Sequence, residues 1–191
     1  MPAALTPTLR IDLPTGLVQG VRQVLSPHFD ARPPGAQPEL IVIHGISLPP
    51  GQFGGPWIER LFTGGPLPPD VHPFFAEIAG LRVSAHALIR RDGEIVQFVP
   101  FTERAWHAGQ SEYCGRVACN DFSVGIELEG TDDTPYEAAQ YASAAALIRA
   151  LLDAYASLSP DRIAGHSDIA PGRKTDPGPH FDWLRLRALV R

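Results

Sequence analysis

Residues 122–129 read FSVGIELE. Val124, Ile126 and Leu128 fall on one face and Gly125, Glu127 and Glu129 on the other, the alternation of a β-strand. A helix signal follows at once. Thr134 offers a cap, Pro135 suits a first turn, and Glu137 stands where a capping box needs it. Tyr141, Ala144, Ala145, Ile148, Leu151, Leu152 and Tyr155 then recur at helical spacing, an apolar stripe wide enough to cover a sheet. Upstream, residues 39–44 (ELIVIH) form an apolar β-branched run that reads as a buried strand ending at His44. Residues 84–99 give SAHALIRR, then Asp92-Gly93, then EIVQFV, which predicts a hairpin closed by a type I′ turn. A short strand near 162–165, a helix over 181–190 and helical turns at 57–62 and 72–79 complete the set. Strands, then a long amphipathic helix, then another strand predict an α/β (α+β) fold. We expect a single domain over residues 1–191 with a mixed central sheet covered by helices.

Composition narrows the classes of function. At 191 residues and 44% hydrophobic, the chain can build a core and is not disordered. A net charge of −5 argues against a nucleic-acid partner, which would need a basic face. The start, MPAALTPTLRIDLPTG, has no basic stretch leading into an apolar run, and no segment approaches the ~20 apolar residues of a membrane span. The expectation is a protein without membrane association that stays where it is made. Cys114 and Cys119 are too few for a disulfide scaffold and read as free thiols suited to a reducing cytoplasm, with a cysteine metal pair the poorer reading. The 20 prolines and 18 glycines cluster in loops, notably 33–38, 49–56, 64–73 and 171–179.

The chemistry concentrates in GHSDIAPGRKTDPG, residues 165–178. His166 and Asp176 stand ten positions apart in a Pro- and Gly-rich loop. A loop can bring both onto one ion, whereas a helix of that length would hold its ends about 15 Å apart. With His44 from a strand end, the set is His, His, carboxylate, a usual protein shell for catalytic zinc that leaves a fourth position for water. Spacing alone is weak, because seven histidines offer many triples. Glu127 and Glu129 are equal candidates for a general base on sequence alone, since a glutamate on a strand's polar face is usually solvated. Lys174 would ordinarily be a surface lysine.

The strings IVIHGISLPPGQFGGPW, SAHALIRRDGEIVQFVP, RAWHAG, CNDFSVGIELEGTD and AGHSDIAPGRKTDPGP resemble, in order and in register, AmpD-type 1,6-anhydro-N-acetylmuramyl-L-alanine amidases. These belong to the zinc amidase and peptidoglycan recognition protein family. The resemblance runs from about residue 25 to the C-terminus. It implies a zinc cleft at one face of the sheet, with His44, His166 and Asp176 as Zn2+ ligands, Glu127 as catalytic glutamate and Lys174 as oxyanion partner. It also implies anhydromuramyl peptides as small-molecule substrates, cell-wall recycling in the cytoplasm, and no protein partner. On the substrate side it points to Trp106 for stacking, Arg82 for the diaminopimelate end of the peptide, His107 as either a substrate contact or a loop residue, and Phe74. Arg116 is the nearest stand-in for an arginine that the family often carries where this chain has Ala118. Gly45 likewise stands where the family often has Asn. His86 is expected to be packed or in the second shell; His28, His72 and His180 are read as structural or solvated. Two alternatives remain: a muropeptide-binding module of weak activity, or an autolysin or phage-type amidase acting on polymeric peptidoglycan.

Overall fold

The computed structural model describes residues 8–191. Six strands make the central sheet: β1 (Arg22–Gln23), β2 (Leu40–Ile46), β3 (Ala87–Ile89), β4 (Ile95–Gln97), β5 (Ser123–Glu129) and β6 (Ile163–Gly165). Their spatial order is β6-β2-β5-β3-β4-β1, and only the β3–β4 pair is antiparallel. The sheet is therefore mixed, as the sequence predicts.

The two sheet faces have different coverings. Ile41 and Ile43 of β2 and Val124, Ile126 and Leu128 of β5 pack with Tyr141, Ala144, Leu147, Ile148 and Leu151. Those residues line the inner stripe of α3 (Ala138–Ala154), and Leu186 and Val190 of α5 (Trp183–Val190) join them. On the opposite face, Leu40 and Val42 pack under Ala108, Cys119, Phe122 and Ile169. Further along that face, Leu88, Val96 and Phe98 pack against Ile58, Leu61 and Phe62 of α1 (Trp57–Thr63) and Phe75 of α2 (Phe74–Glu77).

Two local readings need correction. The long helix starts at Ala138, with Glu137 as its N-cap and Gln140 completing the capping box. Thr134 and Pro135 lie outside it. Tyr136 is buried in the core, and its hydroxyl donates to the Pro177 carbonyl at 2.9 Å. That anchor keeps the preceding residues out of the helix and moves its first turn downstream. In the hairpin, Gly93 has φ 90° while Asp92 stays at negative φ. The turn is therefore a three-residue loop with one left-handed glycine, whereas type I′ would need two such residues. Asp92 contributes instead through its side chain, which accepts from the Glu94 N–H at 2.9 Å.

β5 is buried along its whole length, its glutamates included. Its register against β2 sets Glu127 beside His44. β6 pairs with the other edge of β2, Gly165 opposite Ile43, so His166 emerges one residue past the strand and next to His44. Three parallel strand ends thus deliver three polar side chains to one place, the usual position for a site in sheets of this kind.

Candidate metal centre and active site

His44 Nδ1, His166 Nδ1 and Asp176 Oδ2 converge. The two nitrogens are 3.0 Å apart, and the carboxylate oxygen lies 3.1 Å from His166 and 3.3 Å from His44. Ligand atoms about 2.0–2.1 Å from a tetrahedral zinc would stand roughly 3.3–3.4 Å from one another. The cluster is close to that size. It is also the only group of three or more potential metal-binding side chains among the described residues.

Hydrogen-bond direction says what these atoms present to each other. His166 Nε2 lies 3.2 Å from the Ala108 carbonyl, which can only accept, so the neutral ring carries its proton on Nε2. His44 Nε2 meets His107 Nδ1 at 2.9 Å, and His107 Nε2 meets Ser123 Oγ at 3.1 Å. The Ser123 hydroxyl donates to the Cys119 carbonyl at 2.6 Å, so its oxygen is left to accept from His107 Nε2–H. His107 Nδ1 must then accept from His44 Nε2–H. Both Nδ1 atoms consequently face inward as lone pairs, together with a carboxylate oxygen. Three acceptors pressed together with no proton among them are the arrangement that a bound cation requires.

The electrostatics agree. Burial pushes the His44 imidazole down to about 4, against the opposing effect of Asp176, and holds His107 well below its ordinary range. Both are neutral near pH 7, the state in which imidazole binds metal.

Glu127 and Glu129, equal on sequence, differ here. Glu129 Oε1 accepts from the Gly54 N–H at 2.6 Å and pairs with Arg90 at 3.3 Å, so it is occupied in holding loops together. Glu127 lines the cleft, and its Oε2 is buried with no hydrogen-bond partner. Burial first, then the neighbouring Asp176, raises its carboxyl well above the usual range, with Lys174 pulling the other way. A carboxyl group raised in this way by its surroundings suits a general acid–base role.

The cleft above the cluster holds about 230 Å³ and is lined by His44, Trp106, His107, Glu127, His166, Lys174 and Asp176, among others. Phe74 lies in an adjoining groove of about 460 Å³ that shares Lys174 and Asp176 with the cleft. Arg82 lies in another of about 420 Å³, reached past Leu61 and Leu81. Arg116 is elsewhere. Its guanidinium sits 3.9 Å from the Phe122 ring centre and 3.0 Å from Glu39, in a separate hollow, so it takes no place in the cleft. His107, half-buried in the cleft wall, proves to be a direct contact of His44. His86 is packed as expected: its Nδ1 accepts the Gly125 N–H at 3.0 Å, and burial lowers it to about 3. A Cβ at Gly45 would lie 2.3 Å from the Tyr136 hydroxyl, so this backbone suits the glycine found here.

Sequence reasoning missed Asn120, Ser123, Arg173 and the Ala108 carbonyl. Asn120 Oδ1 accepts from the N–H groups of His107 and Ala108 at 3.2 and 2.8 Å. Arg173 donates to the carbonyls of Ala108 and Gln110 at 2.6 and 2.7 Å. Gly125 carried a readable signal: a glycine inside an otherwise apolar strand often marks a close approach.

Comparison with known proteins agrees with this geometry. The sequence profile of the N-acetylmuramoyl-L-alanine amidase family matches residues 34–179. The 1,6-anhydro-N-acetylmuramyl-L-alanine amidase AmpD of Escherichia coli (strain K12) is 64% identical over 178 residues, covering 93% of this chain and 96% of its own length. A crystal structure of a selenomethionine derivative of AmpD superposes with a TM-score of 0.90 at 60% identity, covering 95% of this chain and 99% of that one. The N-acetylmuramyl-L-alanine amidase AmiD from E. coli, in complex with anhydro-N-acetylmuramic acid-L-Ala-D-γ-Glu-L-Lys, gives a TM-score of 0.59 at 26% identity, covering 95% of this chain and 65% of that one.

Proposed function

Because the chain belongs to the N-acetylmuramoyl-L-alanine amidase family and is an amidase of muropeptides, we propose that it is a zinc hydrolase cutting the amide between the (1,6-anhydro-)N-acetylmuramyl lactyl group and L-alanine. One observation carries the metal assignment. Three donor atoms, 3.0–3.3 Å apart, face one another as acceptors beside a buried carboxyl group. Two neutral imidazoles and a carboxylate are a donor set that suits zinc.

When bound, zinc supplies a Lewis acid that polarises the scissile carbonyl and makes water acidic enough to attack near neutral pH. Glu127 accepts the proton of the attacking water and returns it to the leaving amine nitrogen as the C–N bond breaks. Its buried setting matches that double duty. Lys174, on the same cleft wall, places a positive charge against the oxyanion that forms on the carbonyl. Trp106 offers an apolar wall; its indole N–H donates to Asp30 at 3.0 Å, which fixes the ring. Arg82 and Phe74 line grooves that adjoin the cleft, which supports their assignment to the parts of the substrate beyond the cut bond.

We place the reaction in the cytoplasm, on anhydromuramyl peptides released during wall recycling. Supporting this are the free thiols of Cys114, exposed, and Cys119, buried, which a reducing compartment preserves. No described helix is long and apolar enough to cross a membrane. The muropeptide-binding alternative loses ground because the cluster, Glu127 and Lys174 all line one cleft. The deciding experiment is mass spectrometry of anhydromuramyl-tripeptide incubated with the protein, with and without a zinc chelator. Anhydromuramyl sugar and free peptide, formed only in the presence of zinc, are expected. Intact substrate that still binds the zinc-loaded protein would refute hydrolysis and leave a recognition module.

A further inference from the structure

Resting on the zinc assignment above, we propose that the two-residue segment His107–Ala108 is a clamp that orients both imidazole ligands through their outer nitrogens, with Asn120 setting the clamp's position. The His107 ring takes the His44 Nε2–H at 2.9 Å, and the Ala108 carbonyl takes the His166 Nε2–H at 3.2 Å. Two ligands from two different strands are therefore locked by adjacent residues of a third segment. An acceptor on the outer nitrogen holds the tautomer and turns the ring, so that the inner nitrogen offers its lone pair to the metal.

The segment is itself held from several directions. Asn120 Oδ1 receives both of its backbone N–H groups. Arg173 also donates to the Ala108 carbonyl, at 2.6 Å. His107 Nε2–H ends on Ser123 Oγ, whose own proton goes to the Cys119 carbonyl, so every proton in the chain has one direction. The position of Asn120 is set in turn by the half-buried Arg32, which donates to the carbonyls of Asn120 and Asp121 at 3.3 and 3.1 Å. A residue that only filled space would need neither the tautomer nor the directional chain. His107 is thus a positioning residue acting through His44.

The test is the zinc dissociation constant, measured by chelator competition for the full chain and for His107→Leu, His107→Gln and Asn120→Ala. Melting of the metal-free proteins and the visible spectrum of the cobalt-loaded ones are recorded alongside. Glutamine can accept from His44 and donate to Ser123 as the imidazole does; leucine can do neither. Expected are a loss of affinity of about 10- to 100-fold for His107→Leu and about 10-fold for Asn120→Ala, with an altered cobalt spectrum in both. His107→Gln should stay within about threefold of the parent. Wild-type affinity in His107→Leu, with only a lowered melting temperature, would reduce His107 to packing and overturn the clamp. Should His107→Leu not fold, Asn120→Ala and His107→Gln decide it: unchanged zinc binding in the first, or a loss in the second as large as that of Asn120→Ala, overturns the proposal. A parent chain that binds no zinc would instead overturn the metal assignment itself, a failure distinguishable from a clamp that does not matter.

Discussion

Replacing Gly125 with alanine tests the packing under the metal cluster without removing a polar group. A methyl built there would lie 2.4 Å from His107 Cγ, 2.6 Å from Nδ1 and 2.7 Å from Cδ2, where ordinary contact begins at 3.4 Å. The imidazole must therefore retreat by about 1 Å. It is tied to His44 at 2.9 Å and Ser123 at 3.1 Å, so the retreat strains or breaks both bonds. Overpacking costs roughly 1–3 kcal/mol, and the two hydrogen bonds contribute about 1 kcal/mol each. The lower entropy of alanine in the unfolded chain returns about 0.4–1 kcal/mol. The net expectation is a loss of about 2–5 kcal/mol, read as the urea-unfolding free energy of the metal-free protein. His107→Ala removes the obstructing ring and leaves a cavity that the new methyl can partly fill. The double variant should accordingly be about 2 kcal/mol more stable than the sum of the single losses implies. Losses that add to within ~0.5 kcal/mol would show that the two residues are not in conflict, and the described packing would be wrong.

His44→Ala and Asp176→Ala should each lose zinc on dialysis, because two remaining ligands hold it poorly; stoichiometric metal in either would refute the ligand set. Glu127→Gln should keep its zinc and lose turnover by about 10²- to 10⁴-fold, whereas Glu129→Ala, which strips a buried partner from Arg90, should cost stability of about 3 kcal/mol. The reverse pattern in kinetics and melting would mean that the two carboxylates have been exchanged. Glu59 gives a pH prediction. Its bond to Arg22, with Arg90 adding to it, holds the carboxyl below its usual value despite partial burial. A depressed folded-state value means that the stabilisation is complete above the unfolded value of about 4.3 and is lost as pH falls through the lower folded one. The urea midpoint of the parent should therefore drop more between pH 5 and pH 3 than that of Glu59→Gln, and parallel curves would contradict the pairing.

The elements legible in the sequence were those whose periodicity and burial coincide. β5 reads correctly because Val124, Ile126 and Leu128 face α3 and the alternation survives on the other side. What its pattern concealed was that the second face is buried too, so Glu127 and Glu129 looked like solvated residues and equal candidates. The difference between them lies in Arg90 and the Gly54 N–H, partners 39 and 75 positions away, which no local pattern encodes. The helix start failed for a related reason. Thr134, Pro135 and Glu137 form a plausible local cap, but Tyr136 is drawn into the core towards Pro177, 41 positions away, and tertiary packing overrode the propensity.

Around the metal cluster the limit is of another kind. His44, His166 and Asp176 are residue types that announce metal chemistry, so a resemblance in short motifs was enough to single them out. Their orientation depends on groups that announce nothing. The Ala108 carbonyl is a backbone atom, present at every residue and marked by none. Asn120 acts by accepting two backbone N–H groups, a task that asparagine performs in many turns. His107 draws attention for its residue type but reads as either a substrate contact or a loop residue, because a histidine in a loop beside a cleft reads the same whether its ring faces outward or inward. The glycine opposite it was the discriminating sign. Gly125 leaves room on the sheet for the His107 ring to sit against the backbone, where it reaches His44 and Ser123. In this fold the ligands are legible as residues, while the tautomers that make them ligands are legible only once backbone carbonyls and hydroxyls have positions in space.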